Sequence, residues 1–458
     1  MHPPDRKYQH ILWRFDPQDT VQQFELCTIT YGTSSAPFQA QRAIIQLVRD
    51  EGDSYPWASK VLQEDIYVDD IATGAASVDE AKQLASELKK LLSKGCFELG
   101  KWASNSPQLL KFLQSSEGLH EAACLTEDDD PKIKLLGMHW IPDEDLFSYE
   151  ITTPSWHPSK RAILSAIARI YDPLGFLSPV VFYAKTILQD LWISKCGWDD
   201  VGPPEICLRW HQFISQLDSI SQVKIPRRVV DKECKSSILV GFCDASERGY
   251  AAVLYLVENT QSGYKVHLIR ARTKLSPINR MIIPRLELSG ALLLSRLYQS
   301  CASLRNKLSI CCTRFFTDST IVLGWISTPS QQLNAFVAHR VVQIFEITNM
   351  NDWYHVKSEE NPTDCSSSGL LPSELGKHLL WWAGPRWLMS PLKRWPRLEL
   401  KTENLPELKR ITVVLVFRNT SLWGINLVSF VLSTNELSDT NLDSLNTYAP
   451  KADELNNA

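Results

Sequence analysis

Ile238-Leu239-Val240-Gly241-Phe242-Cys243-Asp244-Ala245-Ser246 is an apolar run that ends on a carboxylate. So short a continuous apolar stretch, bounded by polar residues, reads as a buried strand over residues 238–245. The polar turn Glu247-Arg248-Gly249 leads into a second strand over 250–257, and a third follows over 265–273. A helix over 284–298 carries Glu287 among Leu286, Leu288, Ala291, Leu292, Leu293 and Leu294. A carboxylate in such surroundings is costly unless it is paired or coordinated. Asp318 ends the strand-like Arg314-Phe315-Phe316, and Asp364 follows Asn361-Pro362 ahead of Ser366-Ser367-Ser368-Gly369. Each acid also has an ordinary reading: Asp318 and Asp364 as helix N-caps, Asp244 as a strand terminus in a turn. Four converging acids would repel one another unless cations such as a Mg²⁺ pair neutralised them.

Upstream, residues 25–31 are expected to form a strand and residues 36–50 a helix entered through Pro37. Ile66 and Ile71 bracket Tyr67-Val68-Asp69-Asp70, a pair of acids placed as in a hairpin. Ala81, Leu84, Ala85, Leu88, Leu91 and Leu92 then mark an amphipathic helix over 78–94. An acidic loop at 127–130 precedes a strand over 134–141 and a helix over 159–170, which Asp172, Pro173 and Gly175 stop. Pro179 stands near the entry to a further helix, and residues 197–204 read as an exposed linker. Residues 379–395 are rich in tryptophan and proline, and residues 434–458 are polar enough to be disordered.

The bare Asp69-Asp70 pair could be no more than a solvated turn. Its functional reading is a divalent-cation site, since carboxylate oxygens are hard ligands suited to Mg²⁺. Two such ions about 3.5–4 Å apart can stabilise both the attacking and the leaving oxygen of an in-line displacement.

Composition narrows the remaining classes. The 458 residues exceed one ordinary core, and an apolar fraction of 44% with fifteen tryptophans indicates folded material. The eleven cysteines are odd in number and lack C-x-x-C spacing, against both a disulfide framework and a cysteine zinc site. There is no N-terminal signal-peptide pattern, and Arg418, Asn419 and Asn426 interrupt the apolar stretch 413–432, so no membrane partner is expected. A cytoplasmic or nuclear protein is the corresponding expectation. The net charge of −4 argues against nucleic acid until its distribution is seen. Residues 224–320 hold sixteen Lys/Arg against seven Asp/Glu, whereas residues 116–150 hold two against ten. A basic segment of this kind suits phosphate contact, and equally suits a solvated face.

The ordered series of motifs resembles Pao/BEL-type LTR retrotransposon Pol proteins. The resemblance rests on Tyr31-Gly32-Thr33-Ser34-Ser35-Ala36-Pro37-Phe38, Tyr67-Val68-Asp69-Asp70, Gly95-Cys96-Phe97-Glu98-Leu99 and Lys101-Trp102-Ala103-Ser104-Asn105. Leu136-Gly137-Met138-His139-Trp140 and Tyr171-Asp172-Pro173-Leu174-Gly175-Phe176-Leu177-Ser178-Pro179 continue it. Gly241–Ser246, Pro284–Leu288, Phe316–Ser319 and Asn361–Cys365 resemble the acidic motifs of the family's RNase H domains. The order strand-Asp, helix-Glu, strand-Asp, helix-Asp is that of the RNase H fold.

The resemblance implies an α/β (α+β) chain: a truncated reverse-transcriptase palm and thumb, followed by an RNase H-like mixed-sheet domain. It assigns residues 1–115 to a partial palm, 116–222 to a thumb or connection region and 223–375 to the RNase H-like domain, leaving 376–458 as the Trp/Pro-rich segment and tail. Asp69 and Asp70 would be catalytic metal ligands of the palm, and Asp244, Glu287, Asp318 and Asp364 those of the nuclease, with Mg²⁺ or Mn²⁺ as cofactor. The partners implied are an RNA–DNA hybrid, an RNA template with its DNA primer, and the remainder of the Pol polyprotein. Cleavage would use metal-activated water, and the 2′-hydroxyl would distinguish RNA from DNA. Arg270, Arg272, Lys274, Arg280 and Arg285 are candidates for phosphate contact.

Two departures stand out. The palm's third carboxylate belongs upstream of Pro4-Asp5-Arg6-Lys7-Tyr8, and neither Asp5 nor Asp16 matches it, which implies a polymerase inactive by itself. Ser-Arg-Gly is expected after Asp364, where this chain has Ser367-Ser368-Gly369. These departures leave a second reading open, a decayed or domesticated copy that binds nucleic acid without catalysis. Asp318-Ser319-Thr320 only faintly resembles an aspartic-protease loop, whose glycine is absent. His355 has two readings, as an aid to product release and as a structural residue.

Overall fold

The computed structural model describes residues 2–30, 32–67, 70–117, 133–135, 138–152, 156–230, 234, 236–396, 405–409, 412–417 and 428–433. The acidic loop at 127–130, Asp69 and the polar tail from 434 lie outside the described residues. The chain divides into two compact units. The first comprises residues 1–232 with 369–379, and the second residues 233–368 with 380–458.

The first unit opens with an antiparallel pair, β1 (His10–Trp13) and β2 (Gln22–Glu25). The strand expected over 25–31 is therefore displaced: β1 spans four residues, its His10 pairs with Glu25, and nothing continues the ladder beyond Leu26, whose N–H donates to Gln9 O at 2.9 Å. A strand needs a partner as much as a propensity. Helices α1 (Ala36–Glu51), α2 (Pro56–Glu64) and α3 (Val78–Lys94) then close a common core. Ile44, Leu47 and Val48 of α1 meet Val61 and Leu62 of α2 and Leu84, Leu88, Leu91 and Leu92 of α3. The hydroxyl of Ser77 caps α3 by accepting from Glu80 N–H. Ile66 and Ile71 pack on this core from β3 (Ile66–Tyr67) and β4 (Asp70–Ile71), which pair antiparallel. Helix α4 (Pro107–Glu117) packs beside α3.

Beyond α4 the expected single strand over 134–141 is two strands, β5 (Ile133–Leu135) and β6 (Met138–Ile141), paired antiparallel with Leu135 opposite Met138. Two consecutive strands with apolar residues in both leave no mark of their separation in the hydropathy pattern. Strands β7 (Leu146–Ser148) and, after the helices α5 (Lys160–Arg169), α6 (Ser178–Ile193) and α7 (Pro204–Ser215), β8 (Ile225–Pro226) complete a four-stranded antiparallel sheet. Asp172 organises the turn between α5 and α6. Its carboxylate accepts from the N–H groups of Phe176 and Leu177 at 2.9 and 2.8 Å and from the Tyr149 hydroxyl at 2.9 Å. The stretch expected as an exposed linker is partly packed: Gly202 is buried against Leu191, and Trp198 O accepts from Arg161 N–H.

The second unit is built on a five-stranded mixed sheet. Strands β9 (Ser236–Ala245), β10 (Gly249–Thr260) and β11 (Gly263–Leu275) form an antiparallel meander. Strands β12 (Ile310–Thr317) and β13 (Trp353–His355) run parallel to β9 in the order β11-β10-β9-β12-β13. The near-continuous apolar runs of β9 and β10 follow from burial on both faces, while edge strand β11 alternates. Helix α8 (Ile283–Gln299) covers one face, approaching so closely at Gly241 that a Cβ there would stand 2.6 Å from Leu294 Cδ1. The other face carries an aromatic cluster: Phe242 and Phe316 stack at 5.2 Å, and Trp387 lies 5.0 Å from Phe316. This is the place of the tryptophan-rich stretch. Helices α9 (Thr320–Ser327), α10 (Ala335–Phe345) and α11 (Asp364–Ser368) follow β12 and β13 in turn. In the first unit, α12 (Pro372–Leu375) packs on α6.

Two further strands, β14 (Thr412–Phe417) and β15 (Val428–Ser433), pair antiparallel. Among the described residues no helix is long and apolar enough to cross a membrane.

Candidate active site

Strands β9 and β12 lie side by side and parallel, with Thr317 opposite Cys243. The next residue on each strand is an aspartate, so Asp244 and Asp318 stand together where the two strands end. Helix α8 brings Glu287 to the same place: the hydroxyl of Ser319 donates to Glu287 Oε2 at 2.5 Å. Helix α8 can come this close to β9 because residue 290 is glycine, where a Cβ would lie 3.1 Å from Asp244 O. Helix α11 approaches with Asp364 as its first residue, and the hydroxyl of Ser367 donates to Asp244 Oδ2. Two more bonds tie α11 and its approach to β9. Asn361 Nδ2 donates to Cys243 O at 3.0 Å, and Ser246 Oγ donates to Ser367 O at 2.6 Å.

Electrostatics trace the same neighbourhood. Burial first, then the charges of Asp318 and Asp364, push the Asp244 carboxyl up to about 7, against the opposing Ser367 hydrogen bond. Burial raises Glu287 as well, with Asp318 adding to it and the Ser319 hydroxyl opposing it. The charge of Asp318 thus acts on both Glu287 and Asp244, and that of Asp364 on Asp244.

Serine hydroxyls accompany three of them. Besides Ser319 and Ser367, Ser358 Oγ donates to Asp318 Oδ2 at 2.7 Å. Asp318 Oδ1 is buried and, among the described residues, has no hydrogen-bond partner. An orphaned, buried carboxylate oxygen among like charges is costly, and a hard cation would satisfy it. Among the described residues no three His, Cys, Asp or Glu side chains already stand as a formed metal cage. The donor chemistry fits a divalent cation.

The N-cap reading of Asp318 does not hold: Ser319 caps α9, its hydroxyl accepting from Val322 N–H at 3.2 Å. That leaves the Asp318 carboxylate to the cluster. The ring of His355 lies with Nε2 at 3.2 Å from Asp318 O, a contact that braces the end of β12. None of Ser319, Ser358, Ser367 and Asn361 was singled out from the sequence for a role at the acids. A serine beside three of the acids in space carries no distinguishing signal in the chain, except that Ser319 directly follows Asp318.

The expected phosphate contacts separate. Arg270, Arg272 and Lys274 alternate along edge strand β11 and so share one face; Arg272 and Lys274 are exposed, and Arg270 Nη1 donates to Ser300 Oγ. Arg280 is exposed in the loop before α8. Arg285 is engaged, its guanidinium paired with Glu407 at 2.7 Å and lying 4.8 Å from the Phe336 ring centroid.

In the first unit, Asp70 opens β4 opposite Tyr67 and is partly buried. Its neighbour Asp69 lies outside the described residues.

Residues 159–319 match the Pao retrotransposon-like RNaseH-like domain family, a span that includes Asp244, Glu287 and Asp318. The match supports a Pao/BEL retrotransposon Pol protein. A search of curated proteins found no match. Among solved structures, the RNase H1 of the halophilic archaeon Halobacterium salinarum NRC-1 is 13% identical, with a TM-score of 0.19, covering 27% of this chain and 87% of that one. The N-terminal RNase H domain of rv2228c from Mycobacterium tuberculosis, solved as a fusion with maltose binding protein, is 12% identical, with a TM-score of 0.21 and coverages of 31% and 96%. LC11-RNase H1, solved in complex with an RNA/DNA hybrid, is 12% identical, with a TM-score of 0.20 and coverages of 28% and 88%.

Proposed function

We propose that the second unit cleaves the RNA strand of an RNA–DNA hybrid at the cluster of Asp244, Glu287, Asp318 and Asp364. What supports this reading is the placement of Asp244 and Asp318 at two adjacent parallel strand ends, with Glu287 and Asp364 brought towards them on two helices and Asp318 Oδ1 buried and, among the described residues, unsatisfied. Divalent ions such as Mg²⁺, when bound, would supply an activated water and offset charge on the leaving oxygen. The chain's own residues hold the acids in place. Ser367 fixes Asp244, Ser319 fixes Glu287, and Ser358 fixes one oxygen of Asp318 while leaving the other open.

The test is cleavage of a labelled RNA–DNA hybrid by the purified chain in Mg²⁺, beside single-stranded RNA and duplex DNA. Asp244→Asn and Asp318→Asn are expected to reduce cleavage to background while circular dichroism stays unchanged. Asn keeps the shape of each side chain and removes the charge that cations need. Fold-intact convergence with no hybrid cleavage in either Mg²⁺ or Mn²⁺ would leave the decayed-copy reading standing.

The first unit is read as part of a reverse-transcriptase palm acting on an RNA template and DNA primer alongside the rest of a Pol polyprotein. What favours this is the antiparallel β3–β4 hairpin, which carries Asp70 over the α1–α3 core.

A further inference from the structure

Residues 405–409 lie as an extended strap against α8, α9 and the turn that leads into α10. Leu405 fills a notch in α9. A Cβ at Gly324 would stand 2.3 Å from Leu405 Cδ2, so a glycine, otherwise disfavoured in a helix interior, makes room for it. The indole Nε1–H of the buried Trp325 donates to Pro406 O at 2.7 Å. Leu408 bridges antiparallel to buried Leu333, and two backbone bonds flank the bridge. Asn334 N–H donates to Glu407 O at 2.9 Å, and Lys409 N–H to Gln332 O at 2.8 Å. The Glu407 carboxylate is held at both oxygens: Oε1 lies 2.7 Å from Arg285 Nε and 2.7 Å from its Nη2, and Oε2 accepts from Asn334 Nδ2 at 3.0 Å.

Glu407 has a φ of 63°, in the left-handed region that a Cβ makes costly. Such a conformation persists where its surroundings over-determine it, and here the carbonyl and both carboxylate oxygens of Glu407 each have a donor. A buried indole N–H needs a partner as well, and the strap supplies one to Trp325. Main-chain bonds to an extended segment, with pockets for its side chains, are how a cleft recognises a peptide. Gly324 selects a leucine here, and Arg285 with Asn334 selects a carboxylate two residues on. The strap also joins the two helices nearest the acids. Arg285 stands two residues before Glu287 on α8, and α9 begins behind Asp318 and Ser319, whose hydroxyl meets Glu287.

We propose that the cleft formed by Arg285, Gly324, Trp325 and residues 332–334 is a binding site for an extended Leu-Pro-Glu-Leu peptide, filled by this chain's own residues 405–408, and that Glu407 is thereby a positioning residue of the carboxylate cluster. The positioning role rests on the hybrid-cleavage reading; the peptide site does not. By holding α8 against α9, the strap sets how Glu287 stands to Asp318. The working nuclease then extends to residue 409, past the span 223–375 expected for the RNase H-like domain.

The experiment displaces the strap in the full chain with Leu405→Asp and Glu407→Lys together, which puts a charge at the notch and a cation against Arg285. A fluorescent peptide of residues 403–411 is then titrated onto this variant and onto the unsubstituted chain. It is expected to bind the variant and not the unsubstituted chain, whose cleft is filled. The same peptide with Gln at the position of Glu407 should bind about tenfold more weakly, since it loses charge-assisted bonds. Displacing the strap should lower kcat for hybrid cleavage by about tenfold with KM little changed, and added peptide should restore kcat. If the double variant does not fold, Glu407→Gln alone serves, with faster hydrogen exchange expected at the amides of Asn334 and Lys409.

No binding of the peptide to the folded variant, or equal binding of its Glu and Gln forms, would overturn the cleft. So would unchanged exchange at those amides in Glu407→Gln. Peptide binding without recovery of kcat would overturn the positioning role. Peptide binding to a chain that never cleaves hybrid would keep the cleft and sink the nuclease reading, and the positioning role with it.

Discussion

Asp244 shows what a buried carboxylate costs the fold. Held at about 7 by burial and by the Asp318 and Asp364 charges, it is above its ordinary value of 3.8. A raised carboxyl adds no penalty below the unfolded value, and the fold loses stability as pH climbs from about 4 through 7 and the group ionises. Asp244→Asn is therefore expected to stabilise the metal-free chain at pH 8 by on the order of 2–4 kcal/mol, and hardly at all at pH 4. Denaturant melts at the two pH values check this. Adding Mg²⁺ should raise the melting temperature of the unsubstituted chain at pH 8 much more than that of the Asn variant. Asp172 offers the same logic in the first unit, where burial lifts it to about 6 against four hydrogen bonds that oppose the rise. The stability of the unsubstituted chain relative to Asp172→Asn should fall between pH 4 and 6.5, and a pH-independent difference would contradict that account.

Among elements, the contact of α8 with β9 decides whether Glu287 reaches its partners. A Cβ at residue 290 would press on Asp244 O, a backbone atom of a central strand that has no room to yield. Gly290→Ala gains about 1 kcal/mol of helix propensity. It is expected nonetheless to lower hybrid cleavage tenfold or more, by levering Glu287 from Asp318, while the melting temperature moves by only a few degrees. A cleavage assay beside a thermal melt separates the two effects. Helix α11 is held differently, by hydroxyl and amide bonds to the end of β9. Ser367→Ala should weaken Mg²⁺ binding, read by calorimetry, because Asp244 loses a donor that fixes one of its oxygens. Breaking a hydrogen bond to a charged group costs about 1.5–3 kcal/mol.

At the scale of the whole chain, the two candidate acidic sites belong to different units. Asp70→Ala is accordingly expected to leave hybrid cleavage unchanged, since no part of the carboxylate cluster is drawn from the first unit. A loss of cleavage with the fold intact would show that the units act as one site. The charge distribution belongs to this scale as well. A net charge of −4 conceals the basic β11 edge, so salt should weaken hybrid binding steeply despite the acidic total.

The order of the acids along the chain, the strand ends that carry Asp244 and Asp318, and the apolar helix around Glu287 were all legible in the residues. The reason is local: continuous apolar runs, turn residues and helical periodicity report burial and element type directly. Helix α3 and the β3–β4 hairpin were legible on the same ground. Where the pattern was weaker, the partner decided. Strand β2 ends at Glu25 because β1 is short, and β5 and β6 fold back on each other although their apolar residues read as one strand. The hydroxyls beside the acids and the seating of Arg285 on Glu407 belong to tertiary structure alone. Each joins residues from elements far apart in the chain, and serines or arginines at such separations look like any others until the sheet and helices bring them together.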